Sequence, residues 1–256
     1  MTGTSGDNTW FRTFHPVPDA PVRLVCLPHA GGSAGFYYPL ARALAPRAEV
    51  LAVQYPGRQD RRAEPPATDL ETLADRIAEG LVPWTDRPYA LFGHSMGALV
   101  AFEAARRLRA AGHGPVELFV SGHHAPEPDA GGTPQPVTDE EVIAEIRALN
   151  GTGDTLIDDP ETLRMILPAL RADYEALSRY RFRPGAPLDC PVTAFAGDDD
   201  PKADVEGVRA WQTRTTGAFE LNVFGGGHFF LVDRQAEVLG VLAEHLGRVA
   251  APAVAP

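Results

Sequence analysis

Six short apolar runs rich in β-branched and aromatic residues recur along the chain: Val22 to Leu27, Val50 to Gln54, Tyr89 to Phe92, Val116 to Val120, Val192 to Ala196 and Phe219 to Val223. Runs that stay apolar instead of alternating with polar residues fit strands covered on both faces. Parallel strands, moreover, need long crossovers, usually helical. Helical spacing does lie between them, as in Leu70, Leu73, Ile77 and Leu81, where Thr68 with Glu71 gives a capping-box pattern at the start. The expected architecture is therefore α/β, a mostly parallel central sheet with helices on both faces. A chain of 256 residues with 44% hydrophobic residues suits one such domain.

Residues 126 to 187 break the rhythm, because they contain helical patterns but no convincing strand. They read as a helical insertion. A Pro- and Gly-rich lead runs from Pro126 to Pro136, and a helix opens at Thr138 with Glu141 as its capping partner. A second helix should begin at Asp159 and Pro160, with Pro168 kinking or dividing it. Its stripe of Leu163, Ile166, Leu167, Leu170, Tyr174 and Leu177 either packs on the body or roofs a pocket, and both readings stay open. Residues 1–20 and the Pro-bearing tail 250–256 are expected to be flexible.

A net charge of −11 argues against nucleic acid and anionic membrane as partners. The N-terminus lacks a basic segment followed by an apolar run, so the protein reads as soluble and cytoplasmic. Cys26 and Cys190 both lie beside apolar runs and read as reduced core thiols.

Gly93-His94-Ser95-Met96-Gly97 stands directly between a strand and a helix-like run, Ala98 to Leu108. A serine on such a strand-to-helix turn needs small residues two before and two after it, because the backbone crowds there. A second match, Gly31-Gly32-Ser33-Ala34-Gly35, begins too far past its strand to make that turn, so Ser33 is a loop serine. Its neighbours His29 to Gly32 instead fit a loop that lends a backbone N–H to an oxyanion hole. A nucleophilic serine needs a histidine base held by a carboxylate, and in this arrangement the chain order is Ser, acid, His.

That order leaves two of the eight histidines. His228 sits in a loop after the last strand, behind Gly225, Gly226 and Gly227; His245 lies in the C-terminal helix and reads as a helix-surface residue. The acid should end the penultimate strand, where Asp198, Asp199, Asp200 and Asp204 compete. Asp200, three residues after Gly197 and followed by proline, is favoured over Asp199 and Asp204 because it resembles the pattern that hydrolases with such a serine turn commonly show. The chain has no GxGxxG after a strand and no GxxxxGK[ST], and His123 and His124 lack any zinc-site pattern, so neither a cofactor nor a metal is expected.

At these residues the chain resembles the thioesterases of polyketide and nonribosomal peptide synthases, of α/β-hydrolase fold, and in particular their free-standing type II editing members. The carriers are Leu27 to Gly32, Gln54-Tyr55-Pro56-Gly57-Arg58, Phe92 to Gly97, Leu170-Arg171-Ala172-Asp173-Tyr174 and Gly226 to Phe230. The resemblance implies hydrolysis of acyl groups from the phosphopantetheine arm of an acyl or peptidyl carrier protein. It implies Ser95, Asp200 and His228 as the triad, the N–H groups of Ala30 and Met96 as the oxyanion hole, and the insertion as a helical lid. With no carrier module fused to it, the chain is expected to act in trans, as a monomer. Arg58, Arg61 and Arg62 read either as a solvated loop or as contacts to an acidic carrier. A small-molecule carboxylesterase or an acyltransferase would use the same triad.

Overall fold

A computed structural model of the chain describes residues 9–128, 136, 138–150 and 159–250. Strands β1 (Phe11–Arg12), β2 (Arg23–Leu27), β3 (Glu49–Val53), β4 (Tyr89–His94), β5 (Glu117–Ser121), β6 (Val192–Gly197) and β7 (Phe219–Phe224) form one sheet in the order β1-β3-β2-β4-β5-β6-β7. Every pairing is parallel except that of β1 with β3. The helices are α1 (Tyr38–Leu44), α2 (Leu70–Leu81), α3 (Met96–Ala110), α4 (Asp139–Asn150), α5 (Pro160–Arg179), α6 (Val205–Arg209), α7 (Phe230–Asp233) and α8 (Gln235–Ala250).

Alternate residues of each strand face opposite sides of a sheet, and here both sides are buried. Val25, Leu27, Leu51, Val53 and Leu91 pack with α2 and α3 on one side; Leu24, Cys26, Val50, Ala52 and Phe92 pack with α1 and α8 on the other. This is why the strand runs are apolar throughout. Cys26 and Cys190 are both free and buried, and burial pushes the Cys190 thiol up to about 12.

Between β5 and β6 the helices α4 and α5 occupy the expected positions. Thr138 and Glu141 cap α4 reciprocally, backbone N–H to side-chain oxygen in both directions, at 3.0 and 3.2 Å. Asp159 caps α5 by accepting from the N–H groups of Glu161 and Thr162. Pro168 does not divide α5, which runs unbroken from Pro160 to Arg179.

Three further expectations need correction. Residues 9–20 are not a loose leader: β1 pairs with β3, and Phe11 is buried with its ring edge-on to Trp84. The tail 251–256 and residues 1–8 lie outside the described residues. The capping residue of α2 is Asp69, whose carboxylate accepts the Thr72 N–H at 2.6 Å, not Thr68. An aspartate there also faces the positive end of the helix dipole.

His245 is not on the helix surface. It shares a face with Val238, Leu242 and Leu246, and its Nδ1 lies 2.7 Å from Glu117 Oε1, with both residues buried. Thr193 Oγ1 donates to the same carboxylate oxygen at 2.7 Å, and Glu220 Oε2 lies 3.3 Å from His245 Nε2. A buried carboxylate stripped of its partner costs about 3–5 kcal/mol. His245→Ala is therefore expected to lower unfolding free energy by about 3 kcal/mol in urea titration; a shift of a few tenths would show that the pair carries no such role.

Candidate active site

The turn between β4 and α3 sets the site. Gly93 and Gly97 bracket it because no side chain fits: a Cβ on Gly93 would fall 2.1 Å from the Gly97 carbonyl oxygen, and one on Gly97 2.1 Å from that of Leu27. Ser95, between them, adopts φ 55° and ψ −122°, a left-handed conformation that L residues rarely hold. Its N–H donates to Ser121 O at 2.7 Å, which ties the strained residue to the end of β5. α3 begins at the next residue, Met96; Ala98 N–H donates back to Ser95 O at 2.9 Å, while the N–H groups of Met96 and Gly97 have no intrahelical acceptor.

Ser33, the other match to the serine motif, is extended (φ −137°, ψ 170°) and leads into a short 3₁₀ turn, Ala34–Tyr37. It makes no elbow.

His228 follows β7 on the loop before α7. Its Nε2 lies 2.9 Å from Ser95 Oγ, and its Nδ1 lies 2.9 and 3.0 Å from the two oxygens of Asp200. The side chains of His228 and Asp200 are almost wholly buried. With Nδ1–H donated to the carboxylate, Nε2 is left to accept the serine O–H. Such a chain can draw a proton from Ser95 and return it to a leaving group.

The structure also separates the four competing carboxylates. Asp200 alone faces the imidazole and accepts the Lys202 N–H at 2.8 Å. Asp198 accepts the Gly226 N–H at 2.8 Å and pins the two loops together, Asp199 is exposed, and Asp204 caps α6 through Gly207 N–H.

The Pro28–Gly32 loop leaves β2 beside this turn. Gly31 N–H donates to Asp173 and Gly32 N–H to His29 O, whereas the Ala30 N–H takes no acceptor among the described residues. Ala30, Ser95 and His228 line a cavity of about 380 Å³ whose far walls include Leu149 of α4 and Tyr174 and Leu177 of α5. The apolar stripe of α5 thus does both things: Leu170 packs on Gly31, while Tyr174 and Leu177 face the cavity. Among the described residues, no cluster of three or more His, Cys, Asp and Glu could hold a metal ion.

A family model described as a thioesterase domain matches residues 22–246. The chain belongs to the thioesterase family. The thioesterase PikA5 of Streptomyces venezuelae is 48% identical over 240 residues, covering 93% of this chain and 85% of PikA5. The gramicidin S biosynthesis protein GrsT of Aneurinibacillus migulanus is 38% identical over 256 residues, covering 99% of this chain and all of GrsT. Among solved structures, the type II thioesterase BorB from the borrelidin biosynthetic cluster superposes with a TM-score of 0.87 at 50% identity, covering 95% of this thioesterase and 100% of BorB.

Two arginines that the sequence offered as a loop face are not on the surface of this thioesterase. Arg58 and Arg61 are buried, Arg58 on Asp173 of α5 and Arg61 on the Gln54 carbonyl and Glu64; only Arg62 is exposed. Arg58 and Asp173 lie in separate sequence motifs, and neither carries a local sign of the other.

Three other histidines crowd the site. Burial, then the proximity of His228, lowers His29 to about 3 and depresses His94 well below its ordinary value; burial lowers His123 to about 4. His94 Nδ1 also meets Ser121 Oγ at 3.0 Å. A folded-state pKa below the unfolded value gives stability that is full above about 6.5 and is lost as pH falls toward the folded pKa, because only the unfolded chain takes up the proton. The melting temperature should therefore drop from pH 6.5 to 4.5, each ring contributing up to ~1.4 kcal/mol per pH unit. His123→Gln should make the decline shallower; an unchanged slope would count against this origin. Gly97→Ala should cost the native fold or all activity, read by circular dichroism and ester hydrolysis, and a stable, active variant would contradict the crowding.

Proposed function

We propose that this thioesterase acts in trans on acyl or peptidyl carrier proteins, hydrolysing the thioester between an acyl group and the phosphopantetheine arm and so removing aberrant or stalled units from polyketide or nonribosomal peptide synthases. The observation that carries the reading is the unbroken chain Asp200–His228–Ser95 opening onto a cavity of about 380 Å³. The relatives lend the substrate class: one is named for gramicidin S biosynthesis, another is a type II thioesterase of a borrelidin cluster.

In this reading His228 Nε2 takes the Ser95 proton as Oγ attacks the thioester carbonyl, and Asp200 holds the ring and offsets its positive charge. The Ala30 and Met96 N–H groups receive the oxyanion, aided by the N-terminal end of α3; loss of one such donor costs about 3 kcal/mol of transition-state stabilisation. His228 passes its proton to the departing thiolate, and water then repeats the attack on the acyl-Ser95 ester. The helices α4 and α5 serve as a lid over the acyl group, since they supply the cavity's far walls. One copy holds every residue of the chain of contacts, which supports a monomer as the acting unit. The carrier partner implies action in the cytoplasm, where such intermediates are assembled; no helix among the described residues is long and apolar enough to cross a membrane.

Purified enzyme given acyl-carrier thioesters should release free acid. Ser95→Ala and His228→Ala should each reduce kcat at least ~10³-fold, and Asp200→Asn by roughly 10²- to 10⁴-fold. Equal turnover by Ser95→Ala would remove the site assignment, and strong preference for matched oxygen esters would remove the substrate class.

A further inference from the structure

The helix α5 reaches the reaction centre through a charge pair that the steps above do not use. Asp173 is fully buried, and it accepts three hydrogen bonds: Arg58 Nη2 to Oδ1 at 2.8 Å, Arg58 Nη1 to Oδ2 at 2.7 Å, and Gly31 N–H to Oδ2 at 2.7 Å. Arg58 in turn donates from Nη1 to Gly32 O at 3.0 Å, and its guanidinium lies over the Tyr55 ring, whose hydroxyl donates to Pro28 O at 3.2 Å. The loop that carries Ala30 is thereby clamped at Pro28, Gly31 and Gly32, on both sides of Ala30 itself. Gly31 has φ +75°, and Leu170, one turn before Asp173 on α5, packs against it.

We propose that Arg58 and Asp173 are positioning residues that aim the Ala30 N–H at the oxyanion, so that α5 completes the reaction centre as well as covering it. The inference rests on Ala30 being an oxyanion donor. An N–H has to point at where charge develops, and a buried bidentate Arg–carboxylate pair fixes direction as well as distance. An isolated Gly31 peptide with positive φ can rotate; one whose N–H is held by a carboxylate and whose neighbouring carbonyl is held by a guanidinium cannot. The oxyanion exists only after attack, so loss of the clamp weakens the transition state and leaves ground-state binding in place.

Stability and positioning are separable here. Replacing both members of a buried ion pair by apolar residues is often neutral or stabilising, whereas removing one leaves a buried charge. The test compares wild type, Ser95→Ala, the double variant Arg58→Met with Asp173→Val, and Arg58→Lys, on an acyl-carrier thioester, with kcat expressed per active site by titration of Ser95 in the proteins that keep it and per folded protein for Ser95→Ala. The double variant should lose roughly 10- to 100-fold in kcat while KM stays within about threefold, because a misaimed donor forfeits part of the roughly 10²- to 10³-fold worth of a full one. Arg58→Lys keeps the charge but not the fork, and should lie between the two.

A double variant that melts like wild type and turns over at the wild-type kcat would overturn the proposal, as would a loss confined to KM. If the double variant fails to fold, Arg58→Lys decides by the same split between kcat and KM. Inactive wild type, or a Ser95→Ala variant as active as wild type, would instead sink the site assignment itself.

Discussion

Three stretches of backbone meet at van der Waals limits where β4 turns into α3, and the site exists because they do. Gly97 stands so close to the carbonyl oxygens of Leu27 and Pro28 that a methyl group would overlap both. That contact joins the end of β2 to the start of α3, and it fixes how far the Pro28–Gly32 loop lies from Ser95. The strain of Ser95, of the order of 1–3 kcal/mol for a non-glycine residue with positive φ, persists because the parallel pairing of β2, β4 and β5 leaves the turn nowhere to relax. A looser turn would let the serine fall back to an ordinary conformation and would part the two amide groups on either side of it.

The second half of the site is assembled at the ends of β6 and β7 by the same means, backbone against backbone. A Cβ on Gly197 would lie 2.5 Å from Gly226 O, Asp199 N–H donates to that carbonyl, and Asp198 returns a carboxylate to Gly226 N–H. The acidic triplet is thus a division of roles among adjacent residues: one carboxylate staples the loops, one faces solvent, and the third is left for the imidazole. Around that imidazole, His29, His94 and His123 are held neutral by burial. Neutral rings fill space beside His228 without adding positive charge that would oppose its protonation.

The strands, the strand-to-helix serine and the order Ser, acid, His were legible because each depends on neighbours in sequence or on direction along the chain. The six apolar runs agree with strands β2 to β7 to within one or two residues, and β4 closes at His94, inside the elbow motif. The misreadings share a different property. Arg58 meets Asp173 across 115 residues and His245 meets Glu117 across 128, so neither member of either pair carries its partner in its local pattern. A polar residue in such a position looks like surface. For His245 a helical wheel held a clue, since it lies seven residues after Val238, on the same face as Leu242 and Leu246. For Phe11 the two-residue strand is too short to show any alternation, and its burial depends on Trp84, far along the chain.

The helix α5 divides its length between two tasks. From Glu161 to Pro168 its residues are exposed or half-buried, with Met165 67% exposed, whereas Ala169, Leu170, Ala172, Asp173, Tyr174 and Ala176 are buried. Only the second part touches the loop at Gly31 and lines the cavity with Tyr174 and Leu177. A change of sequence before Leu167 alters the outer cover, whereas Leu167 itself packs against the cluster of Val142, Leu170 and Tyr174. A change in the second part reaches the reaction centre directly, because the residue that shapes the wall and the residue that clamps the loop are neighbours, Tyr174 and Asp173. The cavity wall and the clamp on the loop are therefore coupled through Asp173 and Tyr174, five and six residues after Pro168.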